Sequence, residues 1–254
     1  MCQAIVSGLI QQPTFDITVV ERGEATRAHL QDAFGVTVSD TMPALTSEDV
    51  LLLAVKPQDM AAALQHIDTN GALVLSIAAG LDTQTLSQLT NNTRVIRIMP
   101  NTPAQVGLGV AGLYAAADIS EQDKAIAQNI MQSVGAVYWL QDEAQMHAIT
   151  GVSGSGPAYV FYLLQALASA AQAQGFDEQT ANELSLATFK GAIALAEQSG
   201  LPFSQLQQNV TSKGGTTFAA ITAFEQAHVA QGIAQGVAAC VARSEQMQQQ
   251  WSPK

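Results

Sequence analysis

The stretch VLLLAVKPQDMAAALQHIDTNGALVLSIAAG, residues 50–80, decides the fold. Two runs rich in Val and Leu, Val50–Val55 and Ala72–Ala78, read as buried strands, and the segment from Pro57 to Ile67 between them reads as a helix. A strand, a helix and a second strand in so short a span make the repeating unit of a parallel sheet. The same rhythm runs outward on both sides. Upstream come DITVV (16–20), a helix through Arg27 and GVTV (35–38); downstream come RVIRIMP (94–100), a helix around Ala125–Met131 and GAVYWL (135–140). The fold class predicted is α/β, a doubly wound Rossmann-like sheet. From Asp142 onward the strand signals stop. Long Ala-, Leu- and Gln-rich stretches punctuated by Gly175, Gly200, Pro202 and KGG predict an all-helical second part. The expected division is 1–145, dinucleotide-binding, and 146–254, helical. The Gln clusters near the C-terminus read as a polar helix face that frays.

Composition narrows the function classes. With 254 residues, 48% hydrophobic and 12% charged, the chain buries a large core. The tightest apolar run, Val50–Val55, is far shorter than the roughly 20 residues that span a bilayer. A net charge of −11 with ten Lys and Arg argues against a nucleic-acid partner. Cys2 and Cys240 make no disulfide framework, and His29, His66, His147 and His228 lack ligand spacing, so neither a metal nor a catalytic imidazole is expected. No Lys or Arg precedes the N-terminal apolar stretch, so no secretory signal is read and a cytoplasmic location is expected.

A nucleotide-binding sheet calls for a phosphate loop. The literal G-x-G-x-x-G at Gly107, Gly109 and Gly112 leads into a strand-like run instead of opening a helix, which excludes it. The cluster GVSGSGPAY, 151–159, opens a helix but follows a helical stretch, so it reads as a close helix–helix contact. At the N-terminus, Ala4, Ile5, Leu9 and Ile10 form one apolar face with no capping residue ahead of them. A helix of this kind belongs directly after a first strand and glycine turn, and both are expected to be missing from a chain that begins at Met1.

TSKGGTTFAAI, 211–221, suits a small anion. Gly214 and Gly215 permit close backbone approach, and Thr216 and Thr217 open a helix whose unpaired N–H groups can hold a carboxylate. Alone, the motif reads first as a plain loop with a Ser or Thr helix cap, and as an anion site only within the wider pattern.

Taken together, AVKPQ (54–58), SIAAG (76–80), RIMPNTPA (97–104), GVSGSGPAYVF (151–161) and NVTSKGGTTFAAITAFEQ (209–226) resemble the pyrroline-5-carboxylate reductases over essentially the whole chain. In that family the N-terminus reads as a strand and a G-x-G-N-M-A turn, of which this sequence begins at the Met. The resemblance implies hydride transfer from a reduced nicotinamide to the C=N carbon of 1-pyrroline-5-carboxylate, the last step of proline biosynthesis. It implies that Thr217 hydrogen-bonds the ring nitrogen as the catalytic residue, that Ser212, Gly214, Gly215, Thr216 and Thr217 form the substrate site, and that Asn209 lies at the nicotinamide. It implies cofactor contacts from Ala54, Val55, Lys56, Pro57, Ala78 and Ala79. Lys213 stands where many relatives have Pro, and either attracts the anionic substrate or points to solvent.

Cofactor choice turns on the end of DITVVER: Glu21 would accept ribose hydroxyls of NADH, and Arg22 the 2′-phosphate of NADPH. NADPH is expected, with NADH possible. Family resemblance and the doubly apolar helices at 156–175 and 181–198 imply a homodimer or a larger ring. Two alternatives stand beside this reading. A β-hydroxyacid dehydrogenase would share Gly151, Gly154 and Gly156 but carries a lysine where Val160 stands, and Lys190 reads as a helix-surface residue. A non-enzymatic relative is suggested by the absent glycine turn.

Overall fold

In the computed structural model, which describes residues 1–12, 14–116 and 119–251, the parallel core predicted around residues 50–80 forms as read. Helix α1 (Cys2–Leu9) leads into β1 (Thr18–Val20), α2 (Glu24–Phe34) and β2 (Thr37–Ser39). Then come β3 (Val50–Leu53), α3 (Met60–Leu64), β4 (Leu73–Ser76), α4 (Thr83–Thr90) and β5 (Val95–Met99). Strands β6 (Gly109–Ala115) and β7 (Gly135–Trp139) flank α5 (Glu121–Gln132), and α6 (Gln145–Ile149) runs into one π-helical turn at Thr150–Gly154.

The strands divide into a two-stranded parallel sheet, β1–β2, and a five-stranded sheet in the order β3–β4–β5–β6–β7. Among the described residues β1 pairs only with β2, and β3 only with β4. One pairing departs from an all-parallel reading: β6 runs antiparallel to β5, Ile98 opposite Leu113. The link between them, residues 100–108, holds only a short 3-10 turn at Thr102–Val106. A parallel crossover needs a dozen or more residues, so the chain has to turn back.

Alternation along the strands sorts side chains onto two buried faces. Leu73, Leu75, Ile96 and Ile98 join Ala4, Ile5 and Leu9 of α1 and Ala127, Ile130 and Met131 of α5. Leu51, Leu53, Val74 and Val95 face Met60 and Leu64 of α3 and Leu86 of α4. With both faces covered, these strands read as continuous apolar runs instead of alternating ones. On α1 the apolar face is shifted from the one expected: Val6 is buried, whereas Ile10, already past the last helical turn, is exposed.

The second part is helical: α7 (Gly156–Ala173), α8 (Glu178–Ser199), α9 (Phe203–Asn209), α10 (Thr216–Gln226) and α11 (Val229–Trp251). Asp177 caps α8, accepting from the Thr180 N–H at 2.9 Å, and Gly200 closes it in the left-handed conformation. Two compact units result. Gly156–Ala238 forms one, and Met1–Ser155 forms the other together with the α11 residues from Ala239 on. The helix therefore keeps its order to Trp251 where fraying was expected, because Ser244, Met247 and Gln248 find partners in the first unit.

Candidate active site

In the first unit the carboxyl ends of the parallel strands carry the predicted cofactor residues. Leu53 pairs with Ser76, so the turns after β3 and β4 leave the sheet at one level, and the Ile77 N–H donates to Leu53 O at 3.1 Å. Ala54, Val55 and Lys56 are exposed, Pro57 opens a 3-10 turn, Ala78 is buried and Ala79 half-buried. Small side chains at 54, 78 and 79 leave the backbone open to a flat ligand.

Beyond β1, the three charged residues separate by task. The Glu21 carboxylate accepts from the Gly23 N–H at 2.8 Å, and Arg27 donates to the carbonyls of Glu21 and Arg22, both at 2.7 Å. Those two hold the turn together. The Arg22 guanidinium is exposed, with no side-chain partner among the described residues. The rim thus fits an anionic dinucleotide: exposed backbone after β3, small side chains after β4, and two exposed cations, Arg22 and Lys56, without side-chain partners among the described residues.

The predicted substrate residues, and Asn209 with them, lie in the second unit. The Gly215 N–H closes a four-residue turn on Ser212 O at 3.0 Å, and Gly214 adopts φ +74°, which its missing Cβ allows. Gly215 is the N-cap of α10, and a Cβ there would stand 2.5 Å from Ser212 Oγ. The first backbone bond into the helix comes from Ala219 to Gly215 O, which leaves the N–H groups of Thr216, Thr217 and Phe218 without a backbone acceptor among the described residues. Thr217 is exposed, and its hydroxyl has no hydrogen-bond partner among the described residues. Free N–H groups, the positive end of the helix and two hydroxyls can bind a carboxylate and donate to a ring nitrogen. Lys213 is exposed, and Asn209, the last residue of α9, accepts from Gln205 at 2.9 Å.

A polar network in the first unit escaped the sequence reading. Arg97, almost fully buried on β5, donates from Nη1 to Glu143 Oε1 at 3.1 Å and to Gln248 Oε1 at 3.3 Å. Glu143 accepts from Thr83 through its N–H at 2.7 Å and its hydroxyl at 2.8 Å. Asp82 caps α4 by accepting from the Thr85 N–H at 2.7 Å, and its other oxygen accepts from Gln248 Nε2 at 3.2 Å. Nearby, His147 shares a 2.9 Å hydrogen bond with Ser244; burial first, then the charge of Arg97, holds its imidazole below the usual range. The one signal available was Arg97 itself, a charge inside the apolar strand RVIRIMP, which demands a buried partner.

Residues 143–247 match the family model described as pyrroline-5-carboxylate reductase dimerisation, and residues 1–80 match that of NADP oxidoreductase, coenzyme F420-dependent. The pyrroline-5-carboxylate reductase of Haemophilus influenzae is 41% identical over 255 residues, covering 98% of this chain and 94% of the relative. The chain belongs to the pyrroline-5-carboxylate reductase family. The Vibrio alginolyticus relative is 40% identical with the same coverage. A solved pyrroline-5-carboxylate reductase from Coxiella burnetii matches with a TM-score of 0.86 and 33% identity, over 97% of this chain and 94% of that one. The Plasmodium falciparum structure with NADP bound matches at 0.78 and 25%, over 96% and 95%.

Two of the stretches that carry the likeness to pyrroline-5-carboxylate reductases meet in space. Asn101 Nδ2 donates to Ser153 O at 3.2 Å and bonds Ser153 Oγ at 3.1 Å, and Asn101 Oδ1 accepts from the Val110 N–H at 2.8 Å. RIMPNTPA and GVSGSGP therefore form one joint between strand and π-helical turn. The last two glycines of the rejected G-x-G-x-x-G fall in β6 and serve packing: a Cβ at Gly109 would lie 2.8 Å from Val134 O and one at Gly112 2.9 Å from Ile149 Cγ2. Gly107 instead closes the 3-10 turn ahead of the strand with φ +73°.

Proposed function

We propose that the protein reduces the C=N bond of 1-pyrroline-5-carboxylate to give L-proline, the last step of proline biosynthesis. The observation that carries the reading is the full-length relationship to proteins of that name, at 40 to 41% identity. The reduced nicotinamide, when bound, supplies the hydride. The chain's own residues bind, orient and donate. Ser212, Gly214, Gly215 and Thr216 hold the carboxylate at the α10 N-terminus, and Thr217 donates a hydrogen bond to the ring nitrogen. Ala54, Val55, Lys56, Pro57, Ala78 and Ala79 line the dinucleotide, and Asn209 meets its nicotinamide end.

We infer NADPH as the preferred cofactor, because the Arg22 guanidinium stands exposed with no side-chain partner among the described residues, while one oxygen of Glu21 is taken up by the Gly23 N–H. We infer a cytoplasmic location, where a reduced nicotinamide pool is available; among the described residues, no helix is long and apolar enough to cross a membrane. The functional division we infer lies at 145/146, with the strand-end residues that line the dinucleotide before it and the substrate and assembly residues, together with Asn209, after it. The partner is a second copy of the chain. Phe161, Tyr162, Leu186, Ile193, Leu195 and Phe203 are each more than half exposed in the helical unit, far beyond the scattered apolar residues of a monomer surface. Rings of dimers extend the same assembly.

The test is direct. Purified protein should consume NADPH only when pyrroline-5-carboxylate is added, with L-proline as product and a weaker response to NADH. Absence of turnover with either nucleotide refutes the reading. Sedimentation at micromolar concentration should show dimers or their multiples; a folded monomer refutes the assembly.

A further inference from the structure

The α11 helix reaches back to the first unit at a particular place. Gln248 stands between Arg97 of β5 and Asp82, the cap of α4, with its carbonyl oxygen on the guanidinium and its amide on the carboxylate. Arg97 goes on to Glu143, and Glu143 to Thr83, the residue after Asp82. The five side chains close a ring around the N-terminus of α4. On its apolar side the helix covers the turn just ahead: at Gly80, with φ +82°, a Cβ would meet Met247 Cβ and Trp251 Cδ1, both at 3.5 Å. The segment fixed from both sides, Ile77–Leu81, contains Ala78 and Ala79.

We propose that Gln248 is a positioning residue for the dinucleotide, holding the α4 cap so that the backbone at Ala78 and Ala79 is set at the cofactor. The inference rests on the assignment of that turn to the cofactor. The effect of Gln248 passes through Asp82 and Arg97, the two groups it bridges. An amide is the side chain the place requires, since only a group with both an acceptor and a donor can satisfy a guanidinium and a carboxylate together. A carboxylate at 248 keeps the bond from Arg97 but meets Asp82 with like charge. Changing Asp82→Asn in the same chain would restore a donor facing it, and asparagine caps a helix as well as aspartate does.

The experiment compares the full-length wild type with Gln248→Ala, Gln248→Glu and Gln248→Glu/Asp82→Asn. Measured are NADPH affinity by direct titration, KM for the imine, kcat and melting temperature. NADPH affinity should fall about fivefold in Gln248→Ala and about tenfold or more in Gln248→Glu, the size expected of one or two lost hydrogen bonds, and recover to within about threefold in the double variant. KM for the imine should stay near wild type. Equal NADPH affinity in all four proteins overturns the proposal, as does a parallel rise in the imine KM, or no recovery in the double variant. If Gln248→Glu does not fold, Gln248→Ala carries the comparison without the added charge. A wild type that binds no NADPH refutes instead the underlying cofactor assignment, an outcome visible before any variant is made.

Discussion

Replacing Gly215 by alanine separates binding from stability at the proposed substrate site. The backbone there, φ −81° and ψ 177°, is one that alanine adopts freely, so the fold should tolerate the change. The new Cβ is what matters. It would lie 2.5 Å from Ser212 Oγ, about 0.9 Å short of ordinary contact at 3.4 Å, and 3.2 Å from Ser212 O. The Ser212 hydroxyl must swing away, and the turn that the Gly215 N–H closes must open slightly. If that hydroxyl and the adjoining N–H groups hold the substrate carboxylate, one charge-assisted hydrogen bond is lost, about 1.5–3 kcal/mol. KM for the imine should then rise about ten- to hundredfold, while NADPH affinity and melting temperature stay near wild type. Gly214→Ala is the control with the opposite signature. Nothing lies within 4 Å of a Cβ at that position, but φ +74° costs an L-residue about 1–2 kcal/mol, so this variant should lower stability first. Steady-state kinetics on both variants, with titration of NADPH and thermal melts, decide the matter. An unchanged imine KM in Gly215→Ala, or an equal loss of NADPH affinity, refutes the assignment.

Three further outcomes are expected. Thr217→Ala should lower kcat about ten- to hundredfold, equivalent to about 1.4–2.7 kcal/mol of transition-state stabilisation, and an unchanged kcat removes Thr217 from proton donation. Arg22→Ala should weaken NADPH about ten- to hundredfold in a direct titration and leave NADH nearly unaffected; equal losses for both would assign Arg22 to structure. His147 has its folded pKa held below the ordinary 6.5, so the unfolded chain takes up the proton first. Its contribution to stability is complete above pH 6.5 and lost as the pH falls through the folded value. Urea unfolding between neutral and mildly acid pH should show this slope, reduced in His147→Gln; an unchanged slope in that variant refutes the assignment.

What could be read in advance follows from how far apart the interacting residues lie. The Val50–Ser76 core was legible because strand, turn and helix signals are local and because a sheet covered on both faces needs continuous apolar runs. The turn at Ser212–Gly215 was legible for a related reason: two adjacent glycines before two threonines say locally what the backbone does. The reversal at β6 was not, since apolar alternation carries no direction and only the short 100–108 link betrays it. Arg22 and Arg27 look alike in sequence, and nothing there tells which is taken up by the carbonyls of Glu21 and Arg22. Gln248 was hidden most completely, one glutamine among several on a helix face, with its partners 151 and 166 residues away.

That separation has a bearing on how the protein is made. Arg97 and Asp82 leave the ribosome long before the residue that bridges them, and the whole helical unit is synthesised in the interval. Domains usually complete themselves in order as they emerge. Here the first unit is interrupted in sequence, so the nascent chain must carry Arg97 with part of its complement missing until α11 has been made. Proteolytic clipping within α11 ahead of Gln248 would return the protein to the same condition, loosening a strand and a cap that lie 151 and 166 residues earlier in the chain.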